Sequence, residues 1–555
     1  MPTVAQVIAQ TLKAYETEKF FCLCGGDHEL WYALDDVGIE IINCRTENAA
    51  VYMADGYARM SGKPGFVYGQ RGPGVANLAG SLADAWWAKS PVISLTSSIA
   101  LSSRDRFEYQ EMDGIPLHQG VTKWNKTVSS PDRAAAMLRA AIRIALSPSP
   151  GPVHLEIPAD MFHLESGEEI YCESDYTHIN GARAPADVSR IEKIIQALGN
   201  AKKPLIVAGK GVVISKAWDE LTKFAEAMQI PVATSLGGKG AISEMHPMAV
   251  GVIGRNSRKI GNDAVRECDT VLAIGTRLGG LATHRWTLPF DQKRLFQIDA
   301  DPHILGHNFQ TELAVAADAK LALSSAIDVA HRLYPNRKGS DWSKSMTARV
   351  EEWRGHAAQM HVAQKVEAIH PAQVIAALAR VMKPEDIIGA DTGAHGGWVG
   401  ALYPVSAGQT MFRANGSLGW VFPGALGTKL GDPSKRVVAV TGDGGMLYHI
   451  AEFETAMRCG IPIVVVVMNN ACLASEYQTQ KRHQRVVTSV LDFSDVDFAA
   501  VARSFGAWGK RIEDAKDLDA AIAEALSCGQ PALLDVKVSR EAQSPSANRD
   551  KTRLV

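Results

Sequence analysis

The chain has 555 residues, 46% of them hydrophobic, and 58 Lys+Arg against 60 Asp+Glu give a formal net charge of −2. That length suffices for about three or four domains with large cores, and the balanced charge gives no reason to expect nucleic acid or a membrane surface as a partner. No apolar run reaches the roughly 20 residues needed to span a bilayer. The eight cysteines show neither a disulfide framework nor zinc spacing, so a reducing cytoplasm is the expected compartment.

The opening MPTVAQVIAQTLKAYETEKF reads as an amphipathic helix of the fold, without the uninterrupted apolar core of a signal peptide. Strands are predicted at 20–24, 39–44, 65–69 and 91–96, alternating with helical patterns, and GPVHLEIPAD closes this first segment, 1–165. A looser polar stretch, 166–187, leads to a second segment, 188–335, with strands at 204–208, 231–234, 270–274 and 295–298. The charged helical linker SDWSKSMTARVEEWRGH precedes a third segment, 365–540, and 541–555 is a polar tail, either disordered or a lid. The alternation predicts an α/β chain of three doubly wound domains with mainly parallel sheets.

The densest motif runs from Gly442 to Asn470, GDGGMLYHIAEFETAMRCGIPIVVVVMNN. The runs 436–441 and 463–468 are β-branched and read as buried strands. Leu447, Ile450, Phe453 and Met457 recur between them at helical spacing, and Gly460 and Pro462 stop the helix. Such a unit forms a right-handed parallel crossover, so Asp443 and Asn470 become neighbours at one sheet edge, where ligands of open parallel sheets bind. Gly442, Gly444 and Gly445 let backbone approach a ligand closely. A carboxylate, an amide and a backbone carbonyl are hard oxygen ligands suited to Mg²⁺ on phosphate oxygens.

Glu47 follows the predicted strand 39–44 in NCRTENAAVYMADGYARMSGKPG, at a strand's carboxyl end and a helix start. Gly72-Pro73-Gly74 makes a tight turn after the strand 65–69. Asp27 and His28 follow the first strand in CGGDHELW, where they read either as polar groups for proton transfer or as a helix cap. In the second segment Gly209-Lys210-Gly211 is no GxGxxG fingerprint, which argues against a dinucleotide-dependent dehydrogenase.

Two spaced motifs, Glu47 with ADGYAR and GDG with NN, resemble those of thiamine diphosphate (ThDP) enzymes of the acetolactate-synthase-like family, which includes pyruvate and benzoylformate decarboxylases. The resemblance covers nearly the whole chain in the same domain order: pyrimidine-binding, middle and diphosphate-binding. It implies that Asp443, Asn470 and the carbonyl of Cys472 hold Mg²⁺ on the cofactor diphosphate, and that Glu47, buried and with a raised pKa, shares a proton with the aminopyrimidine. Leu418, in ANGSLGWVFPGALG, would wedge beneath the cofactor, and His395, in GAHGGW, would touch the diphosphate. Gly72, Pro73 and Gly74 would line the site. Gln110, in Tyr109-Gln110-Glu111, would reach the substrate side. Gln110, His28 and His284 would manage protons.

Ile298–Pro302 (IDADP) and Gly275–Arg277 resemble a middle domain that binds FAD or ADP in some relatives. The departures are specific. Thr46 and Asn48 flank Glu47 where the family has His and Gln, and Gln70 stands where benzoylformate decarboxylases carry a catalytic His. GMHG becomes GVIG, with Ile253 for His. The last Arg of RFDDR, which binds the acceptor 2-oxo acid in acetolactate synthases, is Leu281. The expected function is cleavage or formation of a C–C bond next to a carbonyl, by 2-oxo acid decarboxylation or carboligation. Alternatives are a 1,2-dione hydrolase, a benzaldehyde-lyase-like enzyme or a 2-hydroxyacyl-CoA lyase. Substrates would be a 2-oxo acid, a 1,2-dione, a hydroxyketone or an aldehyde. A non-catalytic ThDP- or nucleotide-binding regulator is disfavoured because Glu47, Asp443 and Asn470 are all present. A homodimer or homotetramer is implied, with Glu47 of one subunit meeting Asp443 of its partner.

Overall fold

The computed structural model describes residues 1–255, 257–363, 366–409 and 411–544. Among these, strands form three parallel sheets of six, with helices between them. In the first sheet the order is Glu40–Asn43, Lys19–Cys22, Gly65–Gly69, Val92–Ser98, Val153–Pro158, Asn125–Thr127. In the second it is Leu313–Ala316, Arg294–Asp299, Thr270–Ile274, Pro204–Ala208, Val232–Thr234, Ala249–Val252. In the third it is Met411–Arg413, Ile387–Ala390, Val437–Gly442, Val464–Asn469, Ala532–Lys537, Trp508–Ile512. The predicted α/β class is therefore the observed one.

The central strands are buried along their whole length, as in Val437–Gly442 and Val464–Asn469. Runs of Val and Ile with no polar alternation are what a sheet covered on both faces requires. The predicted strand 20–24 stops at Cys22 because the chain leaves the sheet there, and Cys24 N–H donates instead to Asn43 Oδ1 at 3.0 Å.

The expected single helix after Asp443 is two helices, Asp443–His449 and Glu452–Arg458. Bonds of i→i+3 type, from Phe453 N to Ile450 O (3.2 Å) and from Glu454 N to Ala451 O (3.0 Å), occur at the break. The second helix thereby buries Phe453 and Glu452, while Leu447 of the first is 44% exposed. Glu452 is fixed by Arg45 N–H at 2.9 Å and Thr455 Oγ1 at 2.7 Å.

The first and third sheets share one apolar core, running from Phe21 and Val67 to Val437 and Val467. Across it, helix Glu47–Ser61 packs on helix Val421–Gly431 at glycine contacts. A Cβ on Gly56 would lie 2.0 Å from Gly424 O, and one on Gly427 would lie 1.9 Å from Met53 O. The fully buried Asp55 completes the junction, accepting from Arg59 Nε (2.7 Å) and Trp420 Nε1 (3.0 Å). The second sheet's unit is tied to the third by Arg258, which bonds Glu244 (2.8 Å) and Ala401 O (2.9 Å).

Of the predicted tail 541–555, Glu541 accepts hydrogen bonds from Tyr477 and Lys481 of helix Ala474–Arg482, and residues 545–555 lie outside the described residues. Among the described residues no helix is long and apolar enough to cross a membrane.

Candidate functional site

Strands Val437–Gly442 and Val464–Asn469 pair in parallel with Gly442 opposite Met468, so both end at one sheet edge. Asp443 opens the helix just past the first. Its Oδ1 accepts from Gly444 N–H at 2.8 Å, and its Oδ2 accepts from Asn470 N–H at 3.0 Å and Cys472 N–H at 3.1 Å. Burial pushes its carboxyl above the ordinary carboxylate value, and these amides pull the other way. The two asparagines separate in role. Asn469 is fully buried and donates to Asp535 Oδ1 (2.9 Å) and Val496 O (3.0 Å). Asn470 keeps a buried side-chain oxygen with no hydrogen-bond partner. Ala471, at φ +54, turns the chain so that Cys472 returns to Asp443. The Cys472 thiol is pushed by burial up to about 12 and stays protonated, leaving its carbonyl as the candidate ligand atom.

Asp443, Asn470, Cys472, His395 and Leu418 line one cavity of about 550 Å³, together with Gly442, Gly444 and Gly445. A Cβ on Gly445 would lie 2.4 Å from Asp391 Oδ2, so no larger residue fits there. His395 is buried, its ring held down to about 4 by burial and therefore neutral, with Nε2 lacking a hydrogen-bond partner. Asp391, which the motif reading passed over, accepts from Thr392 N–H, Gly419 N–H and Thr441 Oγ1, each at 2.9 Å. It joins the Leu418 loop to the Asp443 strand, and burial pushes its carboxyl up to about 7. Its sequence signal was available: a carboxylate at the end of strand Ile387–Ala390, before Thr392-Gly393, repeats the Asp443 arrangement.

A second group gathers at the first sheet's edge. Glu47 is the first residue of its helix, capped by Thr46, whose Oγ1 accepts from Ala49 N–H at 3.1 Å. Glu47 Oε2 accepts from Asn77 Nδ2 at 3.1 Å, and Oε1 lies against Gly74. Gln110, at φ +64, packs on Gly72, where a Cβ would lie 2.9 Å from Gln110 Cβ. Asp27 accepts from Ser97 Oγ at 2.7 Å and from the Tyr68 hydroxyl, while the neighbouring His28 is exposed and faces Tyr32.

Glu47 was expected to be buried, but in the single chain it is half-buried. None of Glu47, Gln110 and His28 lines the Asp443 cavity. His284 lines neither described cavity; the wall contributed by the second sheet's unit is Arg255, Leu236 and Leu281.

The larger cavity, about 1050 Å³, collects the residues associated in sequence with a nucleotide: Gly275, Arg277, Asp299 and Asp301. Arg277 stacks over Trp87, 4.8 Å from the ring centroid, and burial pushes Asp299 up to about 6. Lys210 lines the same space, with its ammonium held well below the ordinary lysine value by burial.

Comparison with known proteins gives matches along nearly the whole chain. Residues 2–117 match the N-terminal TPP binding domain of thiamine pyrophosphate enzymes, 191–326 their central domain and 391–536 their C-terminal TPP binding domain. A probable acetolactate synthase large subunit of Methanococcus aeolicus is 30% identical over 549 residues, covering 96% of this chain and 92% of that protein. A second, from Methanocaldococcus jannaschii, is 31% identical over 547 residues, covering 96% and 91%. The acetolactate synthase isozyme 3 large subunit of Escherichia coli is 28% identical over 537 residues, covering 94% and 92%. The chain belongs to the thiamine pyrophosphate enzymes, in their acetolactate-synthase-like group.

Proposed function

We propose that this protein is a ThDP- and Mg²⁺-dependent lyase or carboligase that cleaves or forms the C–C bond next to a carbonyl, with a 2-oxo acid as donor. The observation that carries the reading is the pairing of Asp443 with the unpartnered Asn470 oxygen at a glycine-lined sheet edge. A buried amide oxygen without a donor is costly unless something fills its coordination, and hard oxygen atoms beside a carboxylate suit Mg²⁺. Asp443, Asn470 and the Cys472 carbonyl would hold the metal on the diphosphate. Bound ThDP supplies a carbon nucleophile and an electron sink.

The chain's own residues orient and protonate. Gly444 and Gly445 admit the diphosphate to the backbone, neutral His395 offers a hydrogen bond without charge, and Leu418 supplies an apolar wall. Glu47, steadied by Asn77, holds a proton toward the cofactor ring. Gln110 and His28, on the same side, handle protons of the substrate, and His284, which like them lines neither described cavity, is the third candidate for that task. Because the Glu47 and Asp443 groups lie apart in one chain, the complete site needs a second copy, as homodimer or homotetramer. The exposed Phe107, Tyr109 and Tyr448 fit such an interface. Eight unpaired cysteines fit a reducing cytoplasm. The larger cavity has the size and charges for FAD or ADP, and we assign it to one of these nucleotides.

The test is incubation with ThDP, Mg²⁺ and pyruvate, with and without benzaldehyde, reading products by NMR. Acetaldehyde, acetolactate or a mixed hydroxyketone supports the 2-oxo acid reading. No turnover despite saturable ThDP binding contradicts it, and points to cyclic 1,2-diones, benzoins or acyl-CoA thioesters.

A further inference from the structure

The wall of the Asp443 cavity that comes from the second sheet's unit carries a guanidinium that no motif accounts for. Arg255 lines this cavity beside the apolar Leu236 and Leu281. Helix Ala474–Arg482, which follows the Asn470 turn, adds Arg482 and Glu476 to the same cavity. The charges acting on Arg255 are two cations, Arg285 and Arg482, and one carboxylate, Glu476. Arg255 is half-buried. Arg285 and Arg482 are themselves exposed, so Arg255 is the partly desolvated member of this cluster, and an anion entering the cavity beside it would offset the repulsion from its two cationic neighbours. The cavity's other arginines are already bonded, Arg540 to Asp492 (2.9 Å) and Asn470 O (3.2 Å) and Arg413 to Asn415 Oδ1 (3.2 Å).

The backbone fixes Arg255 at the cavity wall. Arg255 N–H donates to Leu281 O at 2.9 Å, and Gly254, at φ +91, brings the two loops so close that a Cβ would lie 2.0 Å from that oxygen. The side chain of Arg255 therefore rises from the wall directly beside Leu281. Arg285 is the middle of three consecutive left-handed residues, His284 (φ +53), Arg285 (φ +55) and Trp286 (φ +60), and its N–H donates to Gly280 O at 2.6 Å. Consecutive left-handed non-glycine residues are strained, and strain of this kind collects at ligand sites.

We propose that Arg255, supported by Arg285 and Arg482, is the receptor for a carboxylate that the substrate carries, with Leu236 and Leu281 receiving its apolar chain. The planar guanidinium fork matches a carboxylate bidentately. The inference deepens the 2-oxo acid reading above and rests on it for the location of the reacting carbon. It selects small oxo acids over neutral diones, benzoins and simple aldehydes at this subsite.

The test is binding, independent of turnover. L-Lactate, an anionic analogue that cannot lose CO₂ here, and propane-1,2-diol, its neutral counterpart, are titrated against the ThDP–Mg²⁺ holoenzyme at low salt by saturation-transfer NMR. In Arg255→Gln the lactate Kd is expected to rise about tenfold or more, and in Arg255→Lys by about threefold, because the bidentate fork is lost. Arg482→Gln, at an exposed position, gives a smaller rise with no risk to folding. Diol and ThDP affinities stay within about twofold of wild type, because neither ligand uses this group. The proposal is overturned if wild type does not bind lactate, if lactate and diol weaken alike, if lactate is unaffected in Arg255→Gln and Arg482→Gln, or if ThDP is the ligand lost. Failure of the 2-oxo acid reading looks different: pyruvate is not turned over while lactate binding still depends on Arg255.

Discussion

Asp443 holds its loop through three backbone N–H groups while keeping a carboxylate at the cavity surface. Asp443→Ala should weaken Mg²⁺-dependent ThDP binding by about 100-fold or more, the upper end of what even a supporting residue costs a metal site. Titration of tryptophan fluorescence with ThDP at fixed Mg²⁺ reads this directly, and unchanged affinity would remove Asp443 from the metal. The Asp443 and Asn470 positions could be read from sequence because a glycine-flanked carboxylate and an asparagine pair stand at the ends of adjacent β-branched runs. The family resemblance singles out Asn470 of the pair, and the structure shows what occupies the other: Asp535 and Val496, 66 and 27 residues further along, claim the side chain of Asn469. Arg255 was not legible because it acts beside a loop distant in sequence, at Leu281, whereas the place of Asp391 at a strand end was legible and only its partners Gly419 and Thr441 were not.

The junction of helix Glu47–Ser61 with helix Val421–Gly431 fixes where Glu47 stands relative to the rest of its chain. Gly56 meets the Gly424 carbonyl at a distance that admits no side chain. Gly56→Ala should therefore force the helices apart and destabilise the protein by about 1–3 kcal/mol, despite the better helix propensity of alanine. A urea midpoint equal to or above wild type would show that the contact relaxes freely. Central strands such as Gly65–Gly69, Pro204–Ala208 and Thr270–Ile274 could be read from their short apolar runs of β-branched and aromatic residues because both faces are buried. Short edge strands such as Asn125–Thr127 and Met411–Arg413 could not, because three residues paired on one side leave no periodic signal. The break at Ile450 was equally hidden, since the apolar spacing continues through it and only the burial of Glu452 against Arg45 decides the turn.

Across the whole molecule, buried histidines are one source of weakening in acid. Burial holds His449 down to about 4 and also lowers His118 and His154, which stack with ring centroids 3.6 Å apart. Their folded values lie below the unfolded value near 6.5. Their stabilisation is therefore present above pH 6.5 and is lost as pH falls toward 4. A tenfold loss of proton affinity on folding is worth about 1.4 kcal/mol per histidine; Asp391 and Asp299, pushed up to about 7 and about 6, act in the opposite sense over the same range, so it is the histidine contribution to the urea midpoint that declines between pH 6.5 and 4. His449→Gln should make that decline shallower; an identical pH profile would show that His449 does not remain neutral in the fold. At the same scale, Glu47 is only half-buried in one chain and does not line the Asp443 cavity.

The proposed chemistry depends on Glu47 delivering a proton to a cofactor held by Asp443. The most direct measurement is hydrogen–deuterium exchange at thiazolium C2 of ThDP bound to wild type and to Glu47→Gln with Mg²⁺ present. The variant is expected to bind ThDP still, while exchange slows by about 100-fold or more, the order of a lost general acid–base group. Exchange as fast as wild type in a variant saturated with ThDP would contradict this role for Glu47.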